Sequence, residues 1–183
     1  MTIVSLATLS RAQINALAEL TLEAAAQHAP GWLPTLESAR EEVDETREAG
    51  KHARVLLEQD SPLGWVCASK AWGRIWELHP LMVGVAHQRR GIGRLLVRDI
   101  EAIAREHDAL TMLLGTSDLT DATSLSSIDL YTDTTAWFGR VRALKPHPFE
   151  FWQRVGYTIV GVIPDAEAPG KPSIQLARRL CTI

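Results

Sequence analysis

Only two cysteines, Cys67 and Cys181, occur in the 183 residues, and they stand far apart. Two distant cysteines frame neither a disulfide scaffold nor a zinc motif, so the compartment expected is reducing cytoplasm. No apolar run approaches the twenty or so residues of a membrane span, and Met1 to Leu9 has neither a basic start nor a cleavage pattern. Neither membrane insertion nor secretion is therefore expected. The six histidines are dispersed without ligand spacing, so no metal is implied. Positive charge is not in excess: 19 Lys and Arg against 22 Asp and Glu leave a formal charge of -3, unlike a nucleic-acid binder. What remains has an ordinary globular composition, 46% hydrophobic and 22% charged. The length suits one domain over residues 1–183, able to bury roughly 70% of its unfolded surface.

The most informative stretch is residues 75–94, IWELHPLMVGVAHQRRGIGR. Ile75 to Val85 reads as a strand, and Arg94 to Glu106 repeats apolar residues at helical spacing. Between them Gly91 and Gly93 allow a tight turn with close backbone approach. A fresh helix N-terminus offers unpaired N–H groups and a positive dipole end to an anion. Arg89, Arg90, Arg94 and Arg98 add positive charge to a window without an acid. A dinucleotide fingerprint wants a third glycine where Leu96 stands, and a P-loop wants Gly-Lys-Ser/Thr, so both are excluded. Gln88-x-x-Gly91-x-Gly93 after a strand remains, against the plain alternative of a glycine turn capping a surface helix. Pro80 removes a ladder donor and predicts a break in the strand. If a neighbouring strand diverges there, the backbone groups of Leu81, Met82 and Val83 need another partner, which an amide-bearing arm supplies.

Along the chain, Thr2 to Leu6 reads as a strand, and Ser10 caps a helix from Arg11 to about His28. Thr35 caps a second helix, Leu36 to Ala49, with Gly50 at its end. Ala53 to Glu58 and Leu63 to Ala71 form a hairpin around Gln59-Asp60-Ser61-Pro62. Leu110 to Leu114 is a strand bounded by Gly115. Residues 115–139 hold Asp118, Asp121, Asp129 and Asp133 without one Lys or Arg, and a helix is expected after this loop. A short helix, Phe149 to Val155, stops at Gly156. Strands Tyr157 to Ile163 and Ser173 to Leu180 flank a loop from Pro164 to Pro172. Strands and helices in this order give a mixed α/β sheet.

The glycine turn resembles the acyl-CoA signature of the GCN5-related N-acetyltransferase (GNAT) superfamily. Trp76-Glu-Leu-His-Pro-Leu81, Leu114-Gly-Thr-Ser-Asp118, Asp129-Leu-Tyr131, His147-Pro-Phe-Glu-Phe151 and Gly156 to Pro164 narrow the likeness. Together they are similar to the aminoglycoside 6′-N-acetyltransferases, specifically the chromosomally encoded enterococcal and Acinetobacter type. The likeness covers about residues 65–180. It implies a GNAT fold, an α/β arrangement with a mostly antiparallel central sheet flanked by helices and splayed at the acyl-CoA site. It also implies acetyl-CoA as co-substrate, an aminoglycoside acceptor, antibiotic resistance and a homodimer. One departure is the loop Asp165 to Gly170, more acidic than the family's Asn-Ala-Asn-Gly, followed by Ser173 where the family has an aspartate.

Amine acetylation needs a held acyl-CoA, a deprotonated amine, an oxyanion donor and a proton for the leaving thiolate. Gln88, Arg89, Arg90, Gly91, Ile92, Gly93 and Arg94, with the backbone of Leu81, Met82 and Val83, are the candidates to hold acetyl-CoA. Regular alternation up to the bulge would place Glu77, His79, Leu81 and Val83 on one strand face. Glu77 is the candidate base and cation anchor, against a structural carboxylate. The N–H of Leu81 or Met82 is the candidate oxyanion donor. Tyr157 resembles the tyrosine near the CoA sulfur and would protonate the thiolate, against a core tyrosine. Trp32, His79, Asp118, Asp121, Asp129, Asp133 and Asp165 are candidate acceptor contacts, each balanced by a packing, capping or solubilising role. Neither cysteine has a base nearby in sequence, so direct transfer in a ternary complex is expected. Two rivals stay open: acetylation of another amine (a polyamine, a lysine or a protein N-terminus), and a non-catalytic acyl-CoA sensor.

Overall fold

The computed structural model describes residues 1–181; Thr182 and Ile183, the end of the expected domain, lie outside the described residues. Its contacts divide the chain into two compact units, Met1–Met112 with the chain end from Leu180, and Leu113–Arg179.

In the first unit β1 (Thr2–Ser5) leads through a 3-10 turn to α1 (Arg11–His28). Ser10 accepts from the Gln13 N–H while the Gln13 side chain accepts from the Ser10 N–H, a reciprocal capping box. Thr35 and Ser38 repeat the device at α2 (Leu36–Glu45). That helix stops four residues before the expected Ala49. The Thr46 hydroxyl donates to the Val43 carbonyl at 2.7 Å, and turns carry the chain to Gly50.

Strands β2 (Lys51–Glu58), β3 (Ser61–Trp72) and β4 (Ile75–Val83) complete a four-stranded antiparallel order β1-β2-β3-β4. The first hairpin is tighter than the sequence suggests. Glu58 pairs with Ser61, so only Gln59 (φ 48) and Asp60 (φ 67) turn, a left-handed pair that matches the strand twist. Ser61 and Pro62 belong to β3, with Pro62 at a strand start where a missing donor is tolerated.

Trp65 is fully buried among Leu6, Leu17, Leu20, Val43, Val55 and Cys67, the face that α1 and α2 cover. Its indole N–H donates to Thr21 Oγ1 at 2.8 Å, and Thr21 donates to the Leu17 carbonyl, so no polar atom of this chain of bonds is stranded. The opposite face takes α3 (Ile92–Glu106), whose Ile92, Leu96, Val97, Ile100 and Ala104 are buried at helical spacing. Arg54, on the α3 face of β2, grips Asp99 of α3 through Nε at 2.6 Å and Nη2 at 3.4 Å.

The second unit contains most of β5 (Thr111–Ser117), then α4 (Thr134–Phe138), α5 (Pro148–Arg154), β6 (Thr158–Ala168) and β7 (Lys171–Arg179), in the strand order β5-β7-β6. Two expectations are corrected here. Gly115 does not end β5 but lies inside it: a Cβ there would come 2.9 Å from Gln175 Nε2 and 3.1 Å from Ser173 Oγ, so the glycine makes room for β7 side chains. The expected loop from Pro164 to Pro172 is mostly strand. Ala168 pairs with Lys171 across a two-residue turn, and the surplus residues form a bulge with Asp165 at φ 51, whose Oδ1 accepts from the Gly170 N–H at 2.7 Å.

Candidate active site

The turn after β4 is built as its glycines require. Arg89 (φ 60) and Gly91 (φ 83) are left-handed, and Gly91 forms the N-cap of α3 without a side-chain cap. No protein atom lies within 4 Å of a Cβ placed at Gly91, so its glycine is demanded by backbone conformation, not by crowding. The first turn of α3 carries no acid, and Arg89, Arg90 and Arg94 are exposed around it. This is an anion site in form. Gln88 ties it to α1 by donating to Gln27 Oε1 at 2.7 Å, and Arg90 Nη1 donates to His87 Nδ1 at 3.1 Å. Ile92 is 1% exposed, so its contribution to a ligand is limited to its backbone.

β4 carries the predicted break as a bulge. Ala68 faces Leu78 and Val66 faces Leu81, which leaves His79 and Pro80, joined by a cis peptide bond, opposite Cys67 alone. The neighbouring strand β3 does not diverge there, and pairing resumes at once, which corrects the expectation on this side of β4. The extra residue also shifts the alternation. Glu77 faces Ser69 and Met82 faces Trp65, so Met82 shares the Glu77 face, while Leu81 and Val83 turn to the other. His79 keeps to the Glu77 face, with its ring 5.4 Å from that of Trp32 and its Nε2 3.6 Å from Glu42 of α2.

The register also separates the two candidate oxyanion donors. The Gly84 N–H donates to the Leu63 carbonyl at 3.0 Å, and hydrogen-bonded pairs recur at every second residue of an antiparallel ladder. Trp65 and Met82 are therefore the next bonded pair. The backbone groups of Leu81 and Val83 point away from β3, and Leu81 is the donor that geometry favours over Met82.

Within the first unit the fold thus gathers Trp32, Glu77, His79 and Met82 on one sheet face, and Gln88 to Arg94 at the turn. Glu77 is exposed, and among the described residues it takes part in none of the ion pairs found. Glu42 was missed in the sequence because the run of acids on α2 reads as a solvated face. The signal available was its spacing from Ala39 and Val43, which puts it beside the buried stripe.

Tyr157 and the aspartates belong to the second unit. Tyr157 follows Gly156 (φ 99), donates its N–H to the Trp152 carbonyl, and is 3% exposed with its ring edge-on to Trp152. Asp118 is corrected as an acceptor contact. It is fully buried, accepting from the Ala122 and Thr123 N–H groups at 2.7 and 2.8 Å and from the Ser126 hydroxyl. Burial pushes its carboxyl up, but these hydrogen bonds outweigh that and hold it below the ordinary value. Asp121 pairs with Lys171 at 2.7 Å. Asp129 caps the 3-10 turn at Tyr131, and Asp133 caps α4. No three His, Cys, Asp or Glu side chains are grouped to hold a metal among the described residues.

Residues 4–134 match the Acetyltransferase (GNAT) family model. The chain belongs to the GNAT acetyltransferase family. No curated protein matches this GNAT sequence, but solved structures do. An aminoglycoside 6′-N-acetyltransferase complexed with coenzyme A is 32% identical, with a TM-score of 0.90 over 100% of this chain and 99% of that one. The aminoglycoside 6′-N-acetyltransferase of Enterococcus faecium is also 32% identical, with a TM-score of 0.87 over the same shares. Aminoglycoside 6′-acetyltransferase type Ii is 26% identical with a TM-score of 0.72, again over 100% and 99%. The fold is accordingly the α/β GNAT fold.

Proposed function

We propose that this acetyltransferase moves the acetyl group of acetyl-CoA to the 6′-amine of an aminoglycoside, by direct attack in a ternary complex. The likeness over the whole length to an aminoglycoside 6′-N-acetyltransferase complexed with coenzyme A carries this reading. The N-terminus of α3, with Gln88, Arg89, Arg90, Gly93 and Arg94, receives the pyrophosphate, and the Leu81 and Val83 backbone groups that point away from β3 receive the pantetheine amides. Glu77 takes the proton of the substrate ammonium, directly or through water, and holds the cation beforehand. The amine lone pair then forms the C–N bond while the Leu81 N–H stabilises the carbonyl oxygen. As the C–S bond breaks, Tyr157 gives its proton to the thiolate, and the second proton shed by the acylated nitrogen, passed through water, restores the tyrosine. Trp32 and His79 flank the acceptor, with Asp121, Asp129, Asp133 and Asp165 supplying negative charge.

The same reading makes the whole chain one catalytic domain, active in the cytoplasm as a homodimer and conferring aminoglycoside resistance. Val160 and Ile163, both 51% exposed on the outer strand β6, are the apolar surface we assign to the dimer, and sedimentation of Ile163→Glu as a monomer is its check. The deciding experiment is acetylation of a panel of aminoglycosides, a polyamine and a lysine peptide, with the product position read by NMR. Acetyl at the 6′-nitrogen is expected. Turnover of the polyamine or peptide alone favours the other amine acetylation, and no turnover at all favours a sensor.

A further inference from the structure

The sheet-facing stripe of α2 is Ala39 and Val43, both buried, and it continues into the buried residue Thr46 just past the helix. Glu42 lies three residues after Ala39 and one before Val43, on the edge of that stripe, and its side chain is only 14% exposed. Burial pushes its carboxyl above the ordinary range against the pull of His79; Glu45 adds to the push and Lys51 to the pull. A carboxylate placed there costs stability that an apolar side chain would not. What it provides is a contact, with Oε1 3.6 Å from Nε2 of His79.

His79 is 60% exposed, and its other support is the Trp32 ring at 5.4 Å. An imidazole so exposed turns freely unless something holds it. Here the indole limits its tilt and the carboxylate attracts whichever nitrogen bears hydrogen. The carboxylate lies 3.6 Å from Nε2, just beyond a direct hydrogen bond, and its charge favours the tautomer with hydrogen on that nitrogen. Nδ1 is then the acceptor. His79 itself lies on the β4 face shared by Glu77.

We propose that Glu42 is a positioning residue: it fixes the tautomer and angle of His79, so that Nδ1 accepts a hydrogen bond from an N–H or O–H of the acceptor and turns the amine toward Glu77. The proposal rests on the acetyl transfer described above. The other charged or titratable groups facing the pair are Glu45 from α2, Lys51 from β2, Cys67 from β3 and Glu77 from β4. Lys51 is engaged with Glu48 at 3.1 Å, and burial pushes the Cys67 thiol up to about 11, so it stays neutral.

Glu42→Leu, Glu42→Gln and His79→Gln test it, with tobramycin as acceptor. Leucine suits the stripe, so the melting temperature of Glu42→Leu is expected to hold or rise. Its kcat/KM for tobramycin is expected to fall roughly three- to tenfold, the worth of one hydrogen bond, with KM for acetyl-CoA unchanged. Glu42→Gln still presents an oxygen to Nε2–H and is expected to recover most of the loss. Adding His79→Gln to Glu42→Leu is expected to cost nothing more than His79→Gln alone. Nitrogen-15 NMR of the ligand-free protein is expected to show His79 as the Nε2–H tautomer, and to lose that preference in Glu42→Leu. An active Glu42→Leu variant with wild-type kinetics and tautomer overturns the positioning role alone. Loss of activity that only tracks loss of stability overturns it too. A wild-type protein without any turnover brings down the acetyl-transfer reading, and this role with it.

Discussion

At the scale of single residues, two carboxylates of this chain answer opposite tests. Glu77 is exposed on β4, so Glu77→Gln removes charge and basicity without disturbing packing. Its kcat is expected to fall about a hundredfold or more, with the acidic limb of the pH profile shifted or lost and the melting curve unchanged. Wild-type turnover and pH dependence in that variant would remove Glu77 from the chemistry. Asp118 is the reverse case, buried and holding three donors of its loop. Asp118→Ala leaves those donors without their acceptor, and thermal or urea unfolding is expected to show a loss of about 2–3 kcal/mol. Its carboxyl is held below the ordinary 3.8, so the folded state binds its proton less readily than the unfolded chain. The stability it gives is present above about pH 4 and is lost as pH falls through the lowered folded value. An Asp118→Ala protein of unchanged stability would show that the loop does not depend on this carboxylate.

At the scale of elements, the docking of α3 on the sheet sets a second pH dependence. His107 follows the last turn of α3, with its ring 4.7 Å from His52 of β2 and 5.3 Å from Trp76 of β4. Burial, then the neighbouring His107, lowers the pKa of His52 below the ordinary 6.5. The unfolded chain therefore takes up a proton at His52 before the folded one does. Stability is full above about pH 6.5 and is lost as pH falls through the lowered folded value. Melting temperatures between pH 7.5 and 5 are expected to decline, and His52→Phe is expected to flatten that decline. An identical decline in the variant would assign it elsewhere. Sequence periodicity located α3 well, since a surface helix must keep its apolar stripe in register. It placed the end of β5 badly, because glycine reads as a terminator and only the neighbouring Gln175 and Ser173 explain why it is needed mid-strand.

At the scale of the whole molecule, charge of opposite sign is segregated along the chain, arginines around the α3 turn and aspartates in residues 115–139. With acetyl-CoA saturating, KM for an aminoglycoside is expected to rise with salt, more steeply for drugs with more amines, because attraction between exposed charges is screened within about 8 Å at physiological ionic strength. A flat KM from low to high salt would remove long-range charge from acceptor binding. The family, the capped helices and the glycine turn before α3 were legible from the sequence, since caps, glycine turns and periodic stripes are local and their residues lie a few positions apart. The bulge at Pro80 was legible for the same reason. Tertiary structure alone decided what that bulge does, turning Leu81 and Val83 to the face opposite Glu77 and directing the Leu81 N–H away from β3, since both depend on the register with a partner strand. It alone buried Asp118 under three donors and set Glu42 beside His79. Asp118 meets donors only four to eight residues on, but only the folded path of the loop turns them inward. Spacing sets Glu42 at the edge of the α2 stripe, but His79 comes from another element, and no local pattern encodes that meeting.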